Sequence, residues 1–240
     1  MRPLTFVLLF TFHMPFIAFS QSESTPPGEM VIKKTTDFEL DGKGSATAWD
    51  FTKWENLTVR KGDDKGYETK VKVLYSETGM YFLFHCKDKK LTATMTSDFD
   101  NLYEEDVVEV FLWTDEGTAL YFEYEVSPLN YELPILVPNF GGKFLGWLPW
   151  HYDGERKTRH ETSIIGGKKE SGAVIKAWMA EFFIPYSLLN PLQNVPPVSG
   201  MKWRANMYRI DYDNGQTGWT WQPVRTNFHD YERFGTFIFE

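Results

Sequence analysis

Lys70-Val-Lys-Val-Leu-Tyr-Ser-Glu-Thr-Gly-Met-Tyr-Phe-Leu-Phe-His-Cys86 decides the fold class. The first run alternates polar and apolar residues, and the return run puts Met80, Phe82, Phe84 and Cys86 on one face. A period of two predicts half-buried strands, with Ser76 to Gly79 as the hairpin loop between them. Asp106 to Trp113 repeats the signal, with Val108, Val110 and Leu112 on one face and Val107, Glu109, Phe111 and Trp113 on the other. After a turn at Asp115-Glu-Gly117, Leu120 to Val126 returns with Leu120, Phe122, Tyr124 and Val126 opposite Tyr121, Glu123 and Glu125. This second pair predicts antiparallel strands with one face open to water.

Working outward, Phe38 to Gly42 reads as a short strand, with Trp49 and Trp54 as apolar anchors after it. Leu57 to Arg60 is a brief strand, Lys61 to Gly66 a charged turn and Lys87 to Asn101 a polar loop. Ser127 to Gly172, with Pro128, Pro134, Pro138 and Pro149, predicts long loops and one or two short strands, including Thr162 to Ile165. Val174 to Ile184, Trp203 to Asp211 and Phe234 to Phe239 read as strands, and Pro185 to Leu189 as one helical turn stopped by Pro191. No repeat and no sustained helical period interrupts this pattern. The expected fold is all-β, an antiparallel β-sandwich of jelly-roll or immunoglobulin-like type, with long loops and at most one or two short helical turns.

Residues 1–20 read as a cleaved secretory signal: Arg2, an apolar run from Leu4 to Phe19, and the small-x-small site Ala18-Phe19-Ser20. A retained N-terminal anchor is the alternative. Residues 21–29 are a Ser/Pro/Gly-rich flexible leader, and 30–240 one domain with no membrane span. The chain is therefore expected outside the cytoplasm: secreted, periplasmic or at the cell surface. Its formal charge of -8 argues against nucleic acid and anionic membranes as partners. Cys86 is the only cysteine, so no intrachain disulfide forms. Asn56-Leu57-Thr58 is a glycosylation sequon, relevant in a eukaryotic source.

Aromatic residues make up 17% of the chain; some fill a β-core, but the turn-rich stretches carry more Trp and Tyr than a core needs. Trp219, Trp221, Asn227, Phe228, His229, Tyr231 and Arg233 crowd the segment before the closing strand. Aromatic rings beside amides, carboxylates and imidazoles suit a sugar, whose C–H faces stack on rings while its hydroxyls need polar partners. Asn227-Phe228-His229, Tyr103-Glu104-Glu105 and Trp147 to Tyr152 have that make-up. The acids Glu104, Glu105, Asp106, Glu109, Glu123 and Glu125 suit a solvated face, a Ca²⁺ site or a glycoside hydrolase using Glu104, Glu105 or Glu109. The histidines lack H-E-x-x-H spacing, and there is no G-x-S-x-G elbow. A b-type haem domain is a further alternative, with Met80, His85 and Met207 as candidate ligands but no C-x-x-C-H motif.

Asp41-Gly42 with Trp49, the hairpin from Lys70 to Phe84, Asn101-x-Tyr-Glu-Glu-Asp-x-Val-Glu-Val-Phe111, Trp203 to Asp211, Trp221-Gln-Pro223 and Asn227-Phe-His-x-x-x-x-Phe-Gly235 come in the order of a known family. Together they resemble the family 9 carbohydrate-binding modules, within the DOMON-like sandwiches. The resemblance implies a non-catalytic sugar-binding protein that serves polysaccharide breakdown beside co-exported glycosidases. It implies a sugar held between two aromatic side chains, at Tyr103 and Phe228, where the family often has tryptophan. Asn227 and His229 flank the second position, and Glu125 lies near a family polar contact that is basic elsewhere. It requires no cofactor and implies at most structural Ca²⁺.

Overall fold

The computed structural model describes residues 28–63, 66–190 and 192–240. The expected signal and nearly all of the leader lie outside these residues. Glu29, read as the last residue of that leader, opens a strand.

Fourteen strands, in chain order, are β1 (Glu29–Lys34), β2 (Glu55–Lys61), β3 (Thr69–Tyr75), β4 (Gly79–Lys87), β5 (Val107–Trp113), β6 (Leu120–Val126), β7 (Glu132–Phe140), β8 (Lys143–Phe144), β9 (Leu148–Pro149), β10 (Arg159–Ile165), β11 (Ala177–Pro185), β12 (Lys202–Asp211), β13 (Thr217–Thr220) and β14 (Gly235–Phe239). One helical turn, α1 (Tyr186–Leu189), follows β11. The first sheet runs β10-β11-β4-β3, and the second β14-β12-β5-β6-β7-β8. β1 joins them, pairing parallel with β14 through Glu29 to Ile32 and parallel with β3 through Lys33 and Lys34. β2 joins them again, through β3 and then β13. All other pairings are antiparallel.

The alternation read from the sequence sorts the side chains as expected. Val71 and Val73 of β3, Phe82 and Phe84 of β4, Val108 and Val110 of β5, Phe122 and Tyr124 of β6 and Phe182 of β11 fill the space between the sheets. Each such side chain stabilises the fold by roughly 1.5–3 kcal/mol through apolar burial. Trp219 and Trp221 belong to this core too, not to a binding loop.

Three expectations need correction. The outer face of β5 and β6 is not open to water. Phe111, Tyr121, Ile135, Tyr208 and Ile210 form a second apolar layer there, covered by Leu102, Tyr231 and Phe234. Alternation cannot tell a face covered by water from one covered by loops. Pro134 and Pro138 do not break the chain into loop; they sit in the nine-residue β7, paired to β6 opposite Tyr124 and Leu120. Proline lacks a donor but is tolerated near a sheet edge. Phe38 to Gly42 forms no strand.

That last segment does something else. The Glu181 carboxylate accepts the main-chain N–H groups of Asp41 and Gly42 at 3.0 and 2.8 Å, and the Trp49 indole N–H at 2.8 Å. Gly42 has φ +70°, and a Cβ there would lie 3.0 Å from the β10 backbone, so this turn needs glycine. The Asp-Gly…Trp motif is thus a clasp that closes the N-terminal segment over the outer face of the first sheet. Glu181→Ala strands these donors in a buried site, and we expect a loss of about 2–4 kcal/mol in urea unfolding. A loss below about 0.5 kcal/mol would show the clasp to be idle.

Candidate functional site

The segment from Gln222 to Tyr231 lies against the outer face of the second sheet and is held from several sides. Arg225 reaches Asp230 through its main-chain N–H at 2.7 Å and its guanidinium at 2.9 and 3.1 Å. Asn227 Oδ1 accepts the His229 N–H at 2.9 Å. The Tyr208 hydroxyl donates to the Phe228 carbonyl at 2.8 Å, and Arg60 donates to the Thr226 carbonyl. A loop tied this way presents its side chains already ordered, which lowers the entropy cost of binding.

Phe228 stacks on Tyr208 with ring centres 4.0 Å apart and planes 12° apart, and the Arg60 guanidinium lies over the ring at 5.5 Å. Beside it opens a cavity of ≈ 370 Å³, lined by Arg60, Lys61, Ile210, Gln216, Gly218 and the loop from Thr226 to His229. Gly218 lets the Phe228 ring pack close to the β13 backbone: an added Cβ would stand 3.4 Å from the ring. Asn227 is exposed at the cavity's mouth. His229 is mostly enclosed: its Nδ1 lies 2.6 Å from the Tyr121 hydroxyl, and Phe144 stacks on it at 4.0 Å. Burial pulls its pKa down to about 4, so the imidazole is neutral at pH 7.

Tyr103 sits on the same face, half-buried and edge-to-face with Trp147 at 6.3 Å. Its carbonyl accepts the Tyr212 hydroxyl at 2.8 Å, and that hydroxyl accepts the Gln216 amide at 3.1 Å. Gln216 lines the cavity, so two hydrogen bonds connect the Tyr103 turn to the cavity's lining. The Tyr103 and Phe228 loops share this face, but their rings make no contact among the described residues.

Glu125 lies on this face but beneath it, fully buried, directly across the ladder from Glu109 and two residues from Glu123. Burial raises the pKa of all three, Glu109 to about 8, and mutual repulsion raises Glu123 further. No hydrogen bond of good geometry reaches either oxygen of Glu125, or Oε2 of Glu123, among the described residues. These acids form the floor of the face and do not line the cavity.

The alternatives have less to stand on. Glu105 is spent on the Thr94 hydroxyl and the Thr94 and Met95 amides, at 2.5 and 2.9 Å for the latter two. Glu109 is sealed in the sheet. Met80 and Met207 point into the core between the sheets, and His85 is on the opposite face of β4, so they cannot share an iron.

For a metal, Asp88, Asp211 and Asp213 place carboxylate oxygens within 4.8 Å of one another. The Arg209 guanidinium bonds Oδ2 of both Asp88 and Asp211, at 2.9 and 2.8 Å. The other oxygens accept from Lys89, the Asp213 main chain, Thr92 and Tyr67. The arrangement is already bonded around a cation of its own, and does not fit Ca²⁺ as it stands.

Arg60, Gln216 and Gly218 were not singled out from sequence. No local pattern marks a glycine as room for a ligand or an arginine as its wall.

The comparisons with known proteins agree with the resemblance. Residues 40–135 match the family described as carbohydrate family 9 binding domain-like. Among solved structures, a protein of Bacteroides uniformis ATCC 8492 described as carbohydrate-binding superposes with a TM-score of 0.73 at 18% identity, over 89% of this chain and 100% of that one. A family 9 carbohydrate-binding module of Caldicellulosiruptor kristjanssonii in complex with cellotriose gives 0.63 at 15% identity, over 88% and 93%. The module from that organism in complex with glucose gives 0.63 at 14%, over 88% and 95%. No curated protein matches by sequence. At these identities the structures share the fold, and the family match spans the stretch from Leu40 to Ile135.

Proposed function

We propose that this chain is an exported, non-catalytic sugar-binding protein that serves polysaccharide breakdown. The observation that carries the reading is the cavity beside Phe228, with its aromatic wall, side-chain amides and preordered loop, on the face that also presents Tyr103. A volume of ≈ 370 Å³ accommodates one sugar ring with its first hydration waters, within the usual range for small-molecule pockets. Phe228 supplies apolar contact, Asn227 and Gln216 bond hydroxyls, and neutral His229 completes the lining. Tyr103 stands on the same face, linked to Gln216 through Tyr212, and Glu125 lies buried beneath that face without reaching the cavity. The sequence signal at residues 1–20 supports export, and the absence of a free pair of accessible carboxylates in this cavity's lining supports a binding role without hydrolysis.

Calorimetric titration with mono- and oligosaccharides, beginning with glucose and cellotriose, tests the reading; folded protein that gives no heat with any sugar refutes it. Phe228→Ala is expected to weaken binding by about 1–3 kcal/mol. Gly218→Leu is the stricter variant. Its backbone is not left-handed, and the new side chain would run into the Phe228 ring and displace it from the wall, so it should abolish binding in a variant that circular dichroism shows to be folded. Unchanged affinity in Gly218→Leu would move the site elsewhere.

A further inference from the structure

Successive residues of a strand point to opposite faces, yet Arg60 and Lys61 line the same cavity. The cause is a bulge. In the β2–β13 ladder Gly218 pairs with Lys61 and Trp219 with Val59, which leaves Arg60 as the extra residue. Bulges re-aim side chains in this way. Opposite them stands Gly218, with no side chain to fill the space that the two cations border.

The protein supplies these charges with no counter-charge among the described residues. Arg60 lies over the Phe228 ring at 5.5 Å and donates to the Thr226 carbonyl, its Nε is enclosed without a hydrogen-bond partner, and Lys61 reaches the Gln216 amide oxygen at 3.4 Å. Neither meets a carboxylate among the described residues, and no Asp or Glu lines the cavity. This is unusual in a chain with 33 acidic and 25 basic residues. The buried acids behind the face do not cancel the field, since burial keeps Glu109 protonated at neutral pH.

We propose that the ligand is a sugar bearing a negative charge, with its ring against Phe228 and its anionic substituent between Arg60 and Lys61. This rests on the sugar-binding reading and narrows it. A planar guanidinium and an ammonium at the end of an aromatic-walled cavity recognise a carboxylate or a sulfate ester by charge-assisted hydrogen bonds. Neutral hydroxyls would accept hydrogen bonds from both cations without neutralising either.

The test is calorimetric titration of the full chain with galacturonate and glucuronate, the neutral galactose and glucose, galactose 6-sulfate and inorganic sulfate. At least one charged sugar should bind about tenfold or more tightly than its neutral counterpart. The ratio should shrink as NaCl rises from 20 to 500 mM, with a screening length of about 4 Å at the top of that range. Lys61→Gln, at an exposed position, and Arg60→Gln should each narrow the ratio several-fold. A gain for the uronates identifies the carboxylate source, and a gain for galactose 6-sulfate alone the ester. Neutral sugars binding as well as charged ones would overturn this inference and leave the sugar-binding reading standing. Inorganic sulfate competing as strongly as any charged sugar would reduce the site to an anion site and overturn it. Binding of nothing at all overturns both.

Discussion

Arg209→Met is expected to destabilise the protein by about 3–5 kcal/mol, the usual result of removing one partner from a buried ion pair. Arg209 is fully buried on β12 and bonds Asp88, Asp211, Thr69 and the Lys87 carbonyl, with Trp219 against its guanidinium at 4.8 Å. Methionine keeps much of the packing but leaves acids facing one another. Asp88 is already pushed up to about 7 by burial, against the pull of Arg209. Without that pull it stays protonated, and the pair loses its geometry. Urea unfolding measures the loss. The double variant Arg209→Met/Asp88→Asn separates charge from packing: it should recover part of the stability. A single-variant loss below about 1 kcal/mol would mean that the network contributes little.

The second large effect is a fall in stability as pH rises from about 5 to 8. Glu109 has its pKa raised by burial to about 8, while in the unfolded chain it returns to 4.5. Between those values the unfolded state releases a proton that the native state keeps. The contribution is therefore full below pH 4.5 and is lost by pH 8. Glu123 and Glu125, raised by burial and by Glu109, act in the same direction. At about 1.4 kcal/mol per pH unit and proton, the loss is on the order of 3–5 kcal/mol for Glu109 alone. Acid groups of the opposite sign set the other limb. Asp41 is held near 2, where the Ser45 hydroxyl and the Lys43 and Ser45 amides outweigh burial, so its contribution is lost as pH falls below 4. Maximum stability should thus lie near pH 5. Glu109→Gln should flatten the slope and be more stable than the parent at pH 8. Equal melting temperatures of the parent at pH 5 and 8 would refute the buried-acid account.

The parts of this fold that could be read in the sequence are those where chemistry repeats every second residue. β3, β4, β5, β6 and β12 lie within a residue or two of where alternation puts them, with the expected side chains facing the core. β1 escaped because Glu29-Met-Val-Ile-Lys-Lys34 is short, charged at both ends and stabilised by partners over two hundred residues away. β7 escaped because its prolines read locally as turns. At the candidate site, the aromatic loop around Phe228 and the Tyr103 turn were visible as compositional oddities. The covering of Glu123 and Glu125, the Glu181 clasp and the bulge at Arg60 were not, because each depends on which distant strand lies alongside.

The position of β1 has a consequence for how the chain reaches this state. Glu29 to Ile32 pair with Thr236 to Phe239, so an early strand has its place in the second sheet only once the last strand is available. The seam between the sheets is a contact between distant parts of the sequence, and topologies dominated by such contacts fold slowly, on the order of milliseconds to seconds. Until Phe239 arrives, Val31 and Ile32 wait unpaired. A chain passed through a membrane one residue at a time would keep its sandwich open until the end of that passage, and would close it only on the far side.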